Sequence, residues 1–169
     1  MTSDSLYMQK FVEAFIQRNA RYYMRVFYGK LKPTDYINFG ALFGGPIWLF
    51  YRKMYLFGFC LSLYQLCEFL FFRSVNPFSD STAQVNVQLF ARAFESIMLA
   101  VFANTIYKKH VMKKVTIDSI KITESQQFYK AAKYGGTNIP LALIAFAIKY
   151  LAEPVLMVYL AYLLYQMQS

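Results

Sequence analysis

Apolar and polar positions alternate along the chain in long blocks, and the first two apolar blocks differ in kind. In 5–28, apolar residues recur every three or four positions with basic residues between them, which is typical of an amphipathic helix. The block 36–51 is apolar throughout but is short for a membrane crossing, which needs about 20 residues. Because Gly44, Gly45 and Pro46 interrupt it, we expect a short re-entrant or interfacial helix there.

Three later blocks have the length and composition of transmembrane helices: 54–72, 83–107 and 139–165. The segment 108–137 between the last two is polar and is predicted to be a cytoplasmic loop. A short helix inside this loop is indicated by Thr123 and Gln126, which match a capping box, and its end by Gly135–Gly136.

These patterns predict an all-α integral membrane protein that forms a single membrane domain over 1–169. It has about three transmembrane helices, an N-terminal amphipathic interfacial helix and the short apolar helix. The apolar stripe of 5–28 has two interpretations. It lies in the headgroup region with Arg18, Arg21 and Arg25 toward lipid phosphates, or it packs on the rest of the chain or on a partner.

The composition supports a membrane protein. Hydrophobic residues make up 57% of the chain and charged residues 16%, against roughly 25% charged residues in soluble domains. The net charge is +9, and 15 of the 18 Lys and Arg residues lie in 1–53 (8) and 108–137 (7). By the positive-inside rule this predicts a cytoplasmic N-terminus, with anionic lipid headgroups rather than nucleic acid as partners.

Motifs for catalysis, cofactors and metals are missing from the sequence. It has one His, no CxxC pair, no P-loop and no GxGxxG motif, and no nucleophile–base pair is recognisable. We therefore predict that the protein is not an enzyme and holds no cofactor or metal.

Charged residues inside the predicted spans are the strongest candidates for a polar site, because such charges are costly in a bilayer. Glu68, Arg92 and Glu95 should lie at one depth, as an ion pair that locks two helices or as a polar path. Lys149 and Glu153 are four residues apart and share a helix face. They form either a pair that faces a partner helix or a proton or substrate relay.

The segment Tyr36–Tyr55 (YINFGALFGGPIWLFYRKMY) resembles a family of small bacterial multi-pass membrane proteins known as a domain of unknown function. Its YRKMY element is the most specific part of the resemblance, and Gly40 and Gly44 depart from the bulkier residues usual there. Further similarity lies at Asn19 with Tyr22–Tyr23, at 104–111 and at 135–137. The resemblance implies a bacterial inner-membrane protein and supplies no catalytic residue.

Physically, the same element has the composition of a membrane anchor. Arg52 and Lys53 would lie at the cytoplasmic headgroups, and Trp48, Tyr51 and Tyr55 would form an aromatic belt beside them.

The function predicted from these observations is that of a non-enzymatic accessory or scaffolding subunit of a larger membrane protein complex. One alternative is a subunit of an oligomeric transporter or channel that uses Lys149 and Glu153. A further alternative is a lipid-binding or membrane-shaping protein that acts through 5–28.

Overall fold

The computed structural model of the chain describes residues 3–75, 81–119, 124–152, 155, 158–159, 162–163 and 166. The described residues are helical and contain no strand, which confirms the predicted all-α class. In chain order the helices are α1 (Ser3–Ile16), α2 (Ala20–Tyr28), α3 (Phe39–Gly44), α4 (Pro46–Tyr51), α5 (Tyr55–Val75), α6 (Ser81–Ser119), α7 (Glu124–Tyr134) and α8 (Ile139–Ala147). A 3₁₀ turn (Pro33–Tyr36) precedes α3, and a π-helical turn (Ile148–Ala152) continues α8.

Two regions with different packing can be distinguished. The head consists of α1, α2, α3, α4, α7, residues 100–119 of α6 and the segments 29–38, 52–54 and 135–138 that connect these helices to each other and to the stalk. It contains almost the whole buried apolar core: Phe11, Val12, Phe15, Ile16, Tyr23, Phe27, Ala41, Trp48, Leu49, Met54, Ala103, Tyr107, Val111, Val115 and Ala131. The stalk consists of α5, residues 81–99 of α6 and α8, and most of its large apolar side chains are exposed.

The N-terminal segment is two helices, not the single helix predicted over 5–28. Gln17 and Asn19 adopt positive φ angles of 55° and 63°, and this turns the chain between α1 and α2. The turn lets α1 pack on α6 and α7 while α2 packs on α6. The apolar stripe therefore covers this chain's own helices, which is the second of the two interpretations of the sequence.

The predicted interruption of the apolar block 36–51 lies at Gly45. The side chain of Asn38 caps α3 by accepting a hydrogen bond from the Ala41 amide at 3.0 Å. Gly45 has a φ of +51°, which favours glycine, and Pro46 occupies the first turn of α4. The resulting pair of short helices lies between the candidate spans, because α3 packs on α6 and α4 packs on α5 and α8.

Two helices are long and apolar enough to cross a membrane, judged by length and composition. These are Tyr55–Phe72 and Asn86–Thr116, with mean hydropathies of 1.5 and 1.4, and only 11% and 17% of their residues are buried. The third predicted span appears within the described residues as a shorter apolar stretch, Ile139–Leu151.

The described part of the predicted loop 108–137 is mostly helical. Helix α6 continues to Ser119, because Tyr107, Val111 and Val115 recur every four residues and are buried against the head. The helix predicted inside the loop is α7, which ends just before Gly135–Gly136 as expected.

Candidate functional site

A network of buried polar side chains ties the head together. The Asn38 amide donates to Asn104 Oδ1 at 2.8 Å and to the Tyr23 hydroxyl at 3.3 Å. The Asn104 amide in turn donates to the Tyr22 hydroxyl and to the Asp35 carbonyl, both at 2.9 Å. Buried amides are stable only when their polar atoms are satisfied, so this network fixes how α2, α3 and α6 meet.

The Asp35 carboxylate is 1% exposed and is held by three donors. The Arg25 guanidinium donates to both of its oxygens at 2.7 and 3.0 Å, and the Lys32 amide donates at 2.9 Å. These bonds, that to Arg25 first, hold the pKa of Asp35 below its usual value. Arg25, one of the three arginines predicted to contact lipid or a partner, is thus engaged within the head, whereas Arg18 and Arg21 are exposed.

Arg52 is a buried cation with no carboxylate within 4 Å in the described part of the chain. It is only 3% exposed, and its Nη1 donates to the Arg18 carbonyl at 3.2 Å. Its guanidinium carbon lies 4.4, 5.3 and 5.1 Å from the ring centroids of Tyr23, Tyr51 and Tyr107. Its Nε is buried and has no hydrogen-bond partner among the described residues.

Backbone strain is concentrated around Arg52. The described non-glycine residues with positive φ are Gln17, Asn19 and Lys53. Two of them flank Arg18, whose carbonyl accepts the hydrogen bond from Arg52, and the third directly follows Arg52. Such conformations cost on the order of 1–3 kcal/mol each and persist where the surrounding structure enforces them, often at functional sites.

The C-terminal ends of α1, α4 and α7 converge at the same place. Lys53 donates from Nζ to the carbonyls of Tyr134, at 3.2 Å, and of Gly135. Burial lowers the pKa of the Lys53 amine below its usual value. A Cβ at Gly135 would collide with the Phe15 carbonyl, so glycine permits the close approach of α7 to α1.

A basic cavity of about 240 Å³ opens beside these helix ends. Its described charged or titratable lining is Arg52, Lys53, His110, Lys114 and Tyr134, and none of the described lining residues carries a carboxylate. A larger cavity of about 440 Å³ is also lined by Arg52, and the Arg25–Asp35 pair belongs to its wall. We call the smaller one the basic cavity.

The aromatic residues predicted to anchor the protein at a membrane interface have different surroundings. Trp48 is buried in the head core, with its ring 6.1 Å from that of Tyr107. Tyr51 lies against the Arg52 guanidinium. Tyr55 is partly exposed, and its hydroxyl accepts a hydrogen bond from the Asn138 amide at 2.9 Å. Trp48 and Arg52 thus act as interior packing residues.

A second polar cluster joins the helices of the stalk. Arg92 Nε lies 3.6 Å from Glu68, and Arg92 Nη1 lies 4.0 Å from Glu95. Gln65, which is 7% exposed, donates to Glu95 at 2.9 Å and accepts from Lys149 Nζ at 3.3 Å. We call these five residues the stalk cluster; Glu153, predicted to pair with Lys149, lies outside the described residues.

Sequence reasoning placed three members of the stalk cluster at one depth but missed Gln65, which connects them to Lys149. It also missed the buried head residues Asp35, Asn38 and Asn104. All four belong to residue types that are common on surfaces, so their side chains gave no signal. In the described residues no group of three or more His, Cys, Asp or Glu side chains is placed to hold a metal ion.

Comparison of the chain with family models, with curated proteins and with solved structures finds no match. The resemblance to a family of small bacterial membrane proteins therefore stays a prediction.

Proposed function

We propose that this protein is a non-enzymatic accessory subunit of a larger membrane protein complex, with the stalk in the bilayer and the head on the cytoplasmic side. The observation that carries the proposal is the lateral surface of the stalk. Leu89, Phe90 and Phe94 on α6 and Leu56 and Phe59 on α5 are each more than half exposed. An apolar surface of this extent is unfavourable in contact with water, so we expect lipid or another protein to cover it.

The stalk cluster supports this assignment. It contains two acidic and two basic residues, Glu68, Glu95, Arg92 and Lys149, so its formal charge is zero. The charges are paired or hydrogen-bonded inside the stalk, which leaves apolar side chains on the outside. Helices α5 and α6 each pack more extensively on α4 or α3 than on each other. Their outer faces are therefore available to the helices of another integral membrane subunit.

The head would supply a rigid base for docking. Its buried amides form a hydrogen-bond network that holds α2, α3 and α6 together. The basic segments 1–53 and 108–137 would face the cytoplasm and anionic headgroups of a bacterial inner membrane.

The direct test is purification from the native host in a mild detergent, followed by mass measurement of the intact particle and of its subunits. Unrelated membrane proteins at fixed stoichiometry are the expected result. Replacing both Phe90 and Phe94 with Ala should release them, because both side chains lie on the exposed face of α6. The control is Tyr129→Ala, an exposed aromatic residue on α7 of the head.

A homogeneous particle that contains this chain alone would contradict the proposal. Release of the partner by Tyr129→Ala but not by the α6 pair would place the contact on the head instead. Deleting residues 1–28 is not an informative variant, because it removes Phe11, Val12, Phe15 and Ile16 from the head core.

A second candidate function, a subunit of an oligomeric transporter or channel, is favoured by one observation in the stalk. Glu95 Oε1 is buried without a hydrogen-bond partner in the described residues. Lys149 lies in the π-helical turn, a distortion that is frequent at functional sites. If this function is correct, Glu95→Gln and Lys149→Met should each abolish flux in proteoliposomes of the purified protein. Phe90→Ala should leave the flux unchanged. Equal flux in the wild type and in all three variants would exclude the transporter or channel function.

The structure offers no support for the third alternative, membrane shaping through 5–28, since its apolar stripe is buried against α6 and α7.

A further inference from the structure

The described lining of the basic cavity carries an excess of positive charge. Arg52, Lys53 and Lys114 contribute three formal charges, with His110 counted as neutral, and none of the described lining residues is a carboxylate. The converging ends of α1, α4 and α7 offset part of this, at about half a negative charge per helix and less for the short α4. An excess of between about 1.5 and 2 positive charges remains on the described lining.

Arg52 is the residue least explained by the folded chain alone. A buried cation is ordinarily paired with an anion, because its desolvation costs several kcal/mol. Here the described partners of the guanidinium are one carbonyl and three aromatic rings, and Nε has none. Lys53, which directly follows Arg52, has a positive φ of 59°, a conformation that costs on the order of 1–3 kcal/mol for a residue other than glycine.

The size of the cavity limits the ligand. At about 240 Å³ it lies below the roughly 300–1,000 Å³ typical of sites for drug-sized molecules. It is large enough for one tetrahedral oxyanion with bound water, since a water molecule occupies about 30 Å³ in the liquid. A nucleotide or a peptide would not be enclosed.

The position of the cavity relates it to the candidate spans. Lys53 lies two residues before α5, Gly136 lies three residues before α8, and His110 and Lys114 lie near the end of the apolar stretch of α6. Lys53 and Gly136 therefore lie at the ends of α5 and α8 that adjoin the head, and His110 and Lys114 reach the same cavity from the head part of α6. If the stalk lies in a bilayer, the basic cavity lies at the depth of the lipid phosphates.

We propose that the basic cavity binds a phosphate-class anion through Arg52, Lys53, His110 and Lys114. The ligand is either the phosphodiester of an anionic lipid headgroup or free inorganic phosphate, which present the same oxygens to the same donors. The site does not depend on the accessory-subunit function, because all of its residues belong to this chain.

The test uses the full chain purified in an uncharged detergent and titrated separately with inorganic phosphate and with short-chain phosphatidylglycerol. Calorimetry or native mass spectrometry measures the binding. Lys114→Gln should weaken binding about tenfold, the usual worth of one charge-assisted hydrogen bond. The matched control is Lys113→Gln, which removes the same charge from the adjacent exposed residue that does not line the cavity. It should change the dissociation constant by less than about twofold, as expected for a screened surface charge.

Both variants are at exposed positions, and the fluorescence of Trp48, the only tryptophan in the chain, verifies that the head remains folded. Saturable binding of the lipid but not of inorganic phosphate assigns the site to a headgroup, and the reverse assigns it to free phosphate. Equal weakening by Lys113→Gln and Lys114→Gln would overturn the proposal, because the effect would then be that of net charge. Absence of saturable binding of either probe to the wild-type protein would overturn it as well.

Discussion

Phe11 in the head and Phe90 in the stalk are both phenylalanines on long helices, but their environments are opposite. Phe11 is 0% exposed and its ring lies 5.7 Å from that of Phe128, whereas Phe90 is 76% exposed. The same contrast applies to the two parts of α6. Residues 100–115 place Ala103, Tyr107, Val111 and Val115 in the core, while Leu89, Phe90 and Phe94 point outward.

Buried amides provide a second comparison. Asn104 in the head and Gln65 in the stalk are both 7% exposed. Asn104 bonds to neutral partners, namely an amide, a hydroxyl and a carbonyl, whereas Gln65 bonds to Glu95 and Lys149. The head buries a large apolar core and, within it, the charged side chains of Asp35 and Arg52. The stalk places charged groups inside and apolar groups outside, which suits a lipid surround.

The largest effect that separates the two regions is expected from Phe→Ala substitutions. Phe11→Ala should lower the free energy of unfolding of the head by about 3–5 kcal/mol, because it creates a cavity in a packed core. Phe90→Ala should change the free energy of unfolding by less than about 0.5 kcal/mol, since the exposed ring contacts detergent or lipid and its removal leaves no cavity in a packed core. Denaturant titration of the detergent-solubilised protein, followed by Trp48 fluorescence, measures both.

If Phe90→Ala proves as destabilising as Phe11→Ala, the exposed face of α6 is covered in solution and the contrast between head and stalk does not hold.

A smaller difference is expected between the two buried amides. Asn104→Leu removes the Asn104 partner of the Asn38 amide, the Tyr22 hydroxyl and the Asp35 carbonyl, while Asn38 keeps its longer bond to the Tyr23 hydroxyl, and it should cost about 2–4 kcal/mol. Gln65→Leu should cost about 1 kcal/mol, since hydrogen bonds between helices in a bilayer average about 0.6 kcal/mol. The same titration compares them, and a larger loss for Gln65→Leu would show that the stalk depends on its cluster for folding.

The fold was partly predictable because some boundaries depend on backbone chemistry. Gly45 and Pro46 separate α3 from α4, and Gly135–Gly136 ends α7, as the sequence predicts. The turn between α1 and α2 was missed, since Gln17 and Asn19 are neither Gly nor Pro and their positive φ angles are imposed by tertiary packing. The continuation of α6 was detectable from the four-residue spacing of Tyr107, Val111 and Val115, but four nearby lysines favoured a loop.

The candidate site was less predictable than the fold. The pair Arg52–Lys53 beside an apolar run is typical of a membrane anchor, and no local pattern indicates that Arg52 turns into the head. The burial of Arg52 depends on Tyr23 and Tyr107, which are distant in sequence. Glu68, Arg92 and Glu95 were predicted at one depth because charges in apolar runs are conspicuous, whereas uncharged Gln65 was not.

The smallest expected effect concerns the ion pair of the head and its dependence on pH. The folded-state pKa of Asp35 is lowered from its ordinary value of 3.8, chiefly by its hydrogen bonds to Arg25. The stability contribution of Asp35 is therefore complete well above pH 3.8 and is lost as the pH falls toward the lower folded-state pKa. Asp35→Asn should melt at a lower temperature than the wild type at pH 7, and the gap between the two melting temperatures should narrow as the pH falls below the ordinary pKa of aspartate. Trp48 fluorescence during heating follows both proteins. A gap that stays constant from pH 7 to 3 would mean that the Asp35 charge does not stabilise the head, and that its side chain acts there only through neutral packing.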